Sequence, residues 1–109
     1  MATKIVFEAD GTKYTLEYSK KTVKALESRG FNIRDVQAKP MTLLPMLFEG
    51  AFALHHPKTS SETIQKIFGR MNDRESLFDA LVGMYNAPIE GLFEDPDEEK
   101  NVVSWTQSE

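Results

Sequence analysis

An Asp-Gly dipeptide, Asp10-Gly11, sits between two alternating runs, Lys4 to Ala9 and Thr12 to Tyr18. A two-residue type I′ turn needs positive φ at both central positions, which Asp and Gly tolerate. Such a turn fixes the register. Ala9 falls opposite Thr12, Glu8 opposite Lys13, Phe7 opposite Tyr14, Val6 opposite Thr15, Ile5 opposite Leu16 and Lys4 opposite Glu17. Ile5, Phe7, Tyr14, Leu16 and Tyr18 then share one face, while the other carries two opposite-charge pairs, Glu8/Lys13 and Lys4/Glu17. A two-stranded ribbon is marginal alone, so its aromatic face must pack on helices or gain strands from a partner.

Helices are available further along the chain. Ser19 is an N-cap candidate for a helix carrying Val23, Ala25 and Leu26, and Gly30 suits the left-handed position just past its end, with Phe31 folding back. Asn32 to Lys39 reads as a turn with a short helical piece, and Pro40 marks a break. A second helix is expected from about Leu43 to His55, with Thr42 as N-cap and Pro45 in the first turn. Leu43, Leu44, Met46, Leu47, Phe48, Ala51, Phe52, Ala53 and Leu54 surround its axis, and Glu49 is the only charge among them. A helix apolar all round is either the centre of a core or shared between the core and a partner surface.

Thr59-Ser60-Ser61-Glu62 has capping-box form and starts a helix whose stripe is Ile64, Ile67, Phe68 and Met71. Asn72-Asp73-Arg74-Glu75 starts another, carrying Leu77, Phe78, Leu81, Val82 and Tyr85 and ending near Asn86. Pro88 then opens a short last helix through Ile89, Leu92 and Phe93. The expected fold class is α+β. An N-terminal two-stranded antiparallel hairpin (3–18) is followed by four to five helices at about 20–29, 43–55, 60–71, 74–86 and 88–93, in one domain over residues 1–93.

Residues 94–109 form a tail with six acids and one base, or −5, which leaves residues 1–93 with 11 acids and 12 bases, or +1. A like-charge run without helical or strand period is expected to stay solvated and flexible, presenting Val102-Val103-Ser104-Trp105 with the chain's single Trp. A nearly neutral body with no Lys/Arg stripe disfavours a nucleic-acid partner. No stretch reaches the roughly 20 apolar residues of a membrane helix, and Met1-Ala2-Thr3-Lys4 lacks an apolar signal core, so neither membrane nor secretion is suggested. The chain has no Cys, which suits a reducing compartment and removes disulfides and thiolate chemistry.

Catalytic and metal chemistry find little footing. His55 and His56 are adjacent, and neighbours on a helix point about 100° apart, so a shared metal needs ligands from elsewhere. Proximity to a helix C-terminus explains them more simply, through the dipole and capping. Asp95, Asp97, Glu98 and Glu99 are paired carboxylates without the fixed geometry that acid–base catalysis requires. No Gly-x-Ser-x-Gly, P-loop or Gly-x-Gly-x-x-Gly pattern occurs. The chain is therefore expected to be no enzyme and to take neither cofactor nor metal. Met41, Met46, Met71 and Met84 read as core filler, whereas Trp105 reads as a clasp on its own body or as an anchor for a partner.

The order of motifs resembles a family of small tail proteins from phages and prophages of Gram-positive bacteria. The resemblance runs through Tyr14-Thr15-Leu16-Glu17-Tyr18, Lys39-Pro40-Met41-Thr42, Pro45 to Phe52, His55-His56, Met84-Tyr85-Asn86-Ala87-Pro88 and Asn101 to Trp105. It implies a siphophage tail assembly chaperone, a non-enzymatic protein that binds the tape-measure protein in the host bacterial cytoplasm, with tail-tube subunits as a second candidate partner. The open hairpin edges offer a route to a homo-oligomer by strand addition. The candidate partner-binding residues are Met46, Leu47, Glu49 and Phe52 on the apolar helix and Glu98, Glu99, Val102, Val103 and Trp105 in the tail. A structural tail subunit retained in the virion and a small regulatory or host-inhibitory binding module are the alternatives.

Overall fold

The computed structural model describes residues 4–93 and 102–108. Strands β1 (Ile5–Ala9) and β2 (Thr12–Leu16) pair antiparallel in the expected register, from Ile5 opposite Leu16 to Ala9 opposite Thr12. Asp10 and Gly11 have φ of 53° and 81°, as a type I′ turn demands. Tyr14, Leu16 and Tyr18 are buried, and Ile5, Phe7 and Ala9 pack against the core.

Four α-helices complete an α+β fold. Helix α1 (Lys20–Ser28) opens on a capping box, in which Ser19 Oγ accepts from Thr22 N–H at 3.2 Å and Thr22 Oγ1 accepts from Ser19 N–H at 2.8 Å. It closes in a Schellman motif. Gly30, at φ 90°, donates to Glu27 O at 3.0 Å, and Phe31 N–H donates to Leu26 O at 3.1 Å. Phe31 is thereby folded back into the core, and a 3-10 turn at Ile33–Asp35 leads onward.

Helix α2 (Pro40–Gly50) starts earlier than expected and stops sooner. Pro40 is not a break but the first helical residue, where a preset φ favours the helix and the missing N–H goes unnoticed. Lys39 therefore takes the N-cap position in place of Thr42, and Pro45 lies in the helix interior. The carbonyl that Pro45 leaves free belongs to Met41, which is 90% exposed and open to water. Beyond Gly50 the chain tightens: Ala51, Phe52 and Ala53 donate to carbonyls three residues back. The Ala51 carbonyl, which would have carried the helix on, accepts instead from Glu17 N–H at 3.0 Å.

Helix α3 (Ser61–Arg70) is capped by Ser60, whose Oγ accepts from Thr63 N–H at 3.2 Å. The cap is one residue later than the expected Thr59 box, and Glu62 pairs with Lys66 along the helix at 3.1 Å. Helix α4 (Arg74–Gly91) runs through Pro88, so the two expected last helices are one. Pro88 costs one bond to the Met84 carbonyl, but Met84 and Tyr85 before it are 1% exposed and Ile89 beyond it packs on the core. Packing on both sides holds the backbone helical across the gap.

Helix α2 supplies the centre of the core. Leu47 and Phe48 on it are 0% exposed, and α1, α3, α4 and the 3-10 turn pack around it. Phe48 meets Phe52 at 5.2 Å and Phe68 at 5.0 Å, and Phe52 meets Tyr14 at 5.6 Å, which joins the helices to the hairpin. At the other end Tyr85 packs edge-on against Tyr18 at 5.5 Å and against Phe31 at 5.3 Å.

The outer edge of β2 is closed by the turns after α2. Thr15 N–H donates to His56 Nε2 at 2.9 Å, and Glu17 N–H to Ala51 O. Glu17 turns its carboxylate to His55, Oε1 to Nε2 at 2.7 Å, rather than to Lys4 as the register suggested. No ion pair joins Glu8 to Lys13 among the described residues. The two histidines thus staple the end of the α2 segment to β2, and capping of the helix dipole is not their role.

Candidate partner-binding surface

The candidate residues on α2 are mostly interior. Leu47 is 0% exposed and Phe52 1%, so neither is presented to a partner in this structure. Met46 is half-buried against the core. Glu49 Oε1 accepts from Ser61 Oγ at 2.6 Å and from Gln65 Nε2 at 3.4 Å, which makes it a tie between α2 and α3. Of the two roles open to an all-apolar helix, α2 takes the core one, because the elements around it suffice to cover it.

Met41, at the start of α2, is 90% exposed and so is not the core filler expected of it; further exposed apolar side chains lie at the end of α4. Leu92 is 67% and Phe93 85% exposed. Leu92 lines a groove between α1 and α4 together with Val23, Pro88 and Ile89, with Lys20, Lys24 and Glu27 around it. No spacing in the sequence marked this surface, since Met84 and Tyr85, equally adjacent on α4, are both 1% exposed. A second groove, on the other flank of α1, runs between Thr22 and Ala25 and the turns at Gly50 and Leu54. Its apolar rim is less open, Leu54 being 40% exposed.

Residues 102–108 have no regular secondary structure and are exposed, with Val102 at 45%, Val103 at 86% and Trp105 at 77%. Trp105 is not clasped onto the body. Glu98, Glu99 and the rest of the acidic run lie outside the described residues. The tail segment and the α4 terminus together offer large apolar side chains to water, the combination that marks interaction surfaces.

Two tyrosines with a raised proton affinity serve the core. Burial, and then Tyr85, pushes the Tyr18 phenol well above its usual range, in keeping with its donating a buried hydrogen bond to the Leu47 carbonyl. Burial and then Glu27 raise that of Tyr85. Among the described residues no three His, Asp or Glu side chains gather in a metal-holding group. His56 Nε2 is an acceptor for a backbone N–H and His55 is engaged with Glu17, so both rings have structural partners. Among the described residues no helix is long and apolar enough to cross a membrane.

Residues 1–108 match the family described as Domain of unknown function (DUF5055), and the chain belongs to that family. No curated protein and no solved structure matches it.

Proposed function

We propose that this DUF5055 protein is a non-enzymatic tail assembly chaperone, one that holds the tape-measure protein, and tail-tube subunits as a second partner, during phage tail morphogenesis in the host cytoplasm. The observation that carries the binding part of this reading is the apolar end of α4. Leu92 and Phe93 stand 67% and 85% exposed, and Leu92 lines a groove with Val23, Pro88 and Ile89. Burying such residues contributes roughly 1.5–3 kcal/mol per side chain toward reversible capture of an apolar helical segment. The tail adds Val103 and Trp105 as further anchors, and its acids would keep a complex soluble by repulsion. The assembly part is supported by the order of motifs, which resembles that of small phage tail proteins.

The test is co-expression of the full chain with the tape-measure and tail-tube proteins of the same genome, followed by pull-down and sizing. The expected result is capture and solubilisation of the tape-measure protein, weakened by truncation after Phe93 and by Leu92→Ser with Phe93→Ser. Failure to bind either protein, together with assembly into rings, favours a structural tail subunit.

A further inference from the structure

Among the described residues the hairpin has one closed edge and one open edge. Thr15 and Glu17 turn their N–H groups away from β1, toward His56 and the Ala51 carbonyl. In an antiparallel ladder inward and outward positions alternate, so the residues opposite them in register point their backbone groups the other way. Val6 faces Thr15, Glu8 faces Lys13, and Lys4 precedes them with the same parity. Lys4, Val6 and Glu8 therefore direct N–H and C=O groups outward along β1. All three residues are exposed, Val6 at 54%, and no backbone or side-chain hydrogen bond among the described residues engages them. The end of α3 flanks the turn half of this strand: Ile67, Arg70 and Met71 line a groove with Phe7, Glu8 and Ala9, and Arg70 reaches Asp10 at 2.8 Å, while Lys4 and Val6 lie beyond it.

We infer that the outer edge of β1 is a self-pairing interface, on which a second copy of this chain docks its own β1 antiparallel, with Val6 opposite the partner's Val6. The sequence of the strand selects this occupant. An outward position must meet an outward position, which leaves registers centred on Ile5, Val6 or Phe7. Centring on Val6 sets Lys4 opposite the partner's Glu8 and Glu8 opposite the partner's Lys4, while Ile5 meets the partner's Phe7 on the core-facing side. Centring on Ile5 or Phe7 instead sets a charged residue against Val6. Charges on an edge strand ordinarily discourage pairing. Here their spacing makes them attract in one register and mismatch in its neighbours. The product is a four-stranded sheet, a more self-sufficient unit than a two-stranded ribbon. The contact is small, so the dimer is weak and concentration-dependent. Nothing in this pairing depends on the tail or on the chaperone reading.

The test is sedimentation of the full chain over a concentration series reaching the millimolar range, with charge-swapped variants. Lys4→Glu or Glu8→Lys alone sets like charges opposite each other twice across the twofold and is expected to weaken dimerisation roughly tenfold. The double variant, Lys4→Glu with Glu8→Lys, restores opposite charges between copies and returns the dimer. Within one copy it still opposes Glu17 and Lys13 with like charge, so an effect on hairpin stability alone gives no rescue. Val6→Pro deletes an outward N–H without touching the ladder to β2 and is expected to leave a folded monomer, checked by circular dichroism. A chain that stays monomeric throughout overturns the inference. So does a dimer that survives Val6→Pro, or one that the double variant fails to restore.

Discussion

Replacing Tyr18 by Phe removes one hydroxyl from the middle of the molecule and orphans one carbonyl. The phenol donates to the Leu47 carbonyl, in the last turns of α2. The N–H four residues on, that of Ala51, donates to Phe48 O instead, so Tyr18 is the side chain that caps this acceptor. Tyr18 is 5% exposed and Leu47 0%, which leaves no route for water to substitute. A buried polar group stripped of its partner costs about 1–3 kcal/mol. For a domain of this size that lowers Tm by roughly 5–20 °C. Urea and thermal unfolding followed by far-ultraviolet circular dichroism measure both figures; the exposed Trp105 is a poor fluorescent reporter of the core. Alkaline pH gives a second arm. Burial first and Tyr85 second hold the Tyr18 phenol well above its ordinary value of 10.0. The folded state keeps that proton longer than the unfolded chain, so the contribution is complete below pH ~10 and is lost as pH rises beyond it. Tyr85 shifts in the same direction, so Tyr18→Phe should flatten the alkaline slope without abolishing it. A loss under about 0.5 kcal/mol, with the slope unchanged, would refute the assignment of Tyr18 as the cap of α2.

Three further outcomes rest on single features. Gly30→Ala forces a Cβ into φ 90° and should cost about 1–2 kcal/mol, read from the urea midpoint at unchanged slope. His56→Ala removes the acceptor of the Thr15 amide; it should cost about 1 kcal/mol and speed hydrogen exchange at Thr15 while Tyr14, whose amide faces β1, keeps its protection. Leu92→Ser with Phe93→Ser changes side chains that are 67% and 85% exposed, so unfolding free energy should stay within about 0.5 kcal/mol for each while partner capture is lost in the pull-down.

What the sequence made legible was local. Asp10-Gly11 and the period of two around it determined the hairpin register to the residue, and Ser19, Gly30 and Phe31 announced both ends of α1. The helix boundaries set by proline were not legible. Pro40 and Pro88 each suit a first turn or an interior position, and only packing on both sides of Pro88 decides for the interior. The end of α2 was equally hidden, since it depends on the Ala51 carbonyl turning to Glu17, far away in the chain. The same holds for His56 and Thr15, which are 41 residues apart. The candidate surface was half legible. Trp105, Val102 and Val103 were singled out and are exposed, whereas Leu47 and Phe52 were drawn inside because an all-apolar helix reads alike whether it lines a core or a partner. Leu92 and Phe93 emerged only once α4 was seen to continue past Pro88.

Amide hydrogen exchange on the full chain, with and without bound tape-measure protein, tests the central claim most directly. The account predicts new protection in α1, in the last turn of α4 and at Val102 to Trp105, while α2, already the core, exchanges no differently. New protection confined to α3 or the hairpin, with the end of α4 and the tail unchanged, would contradict it.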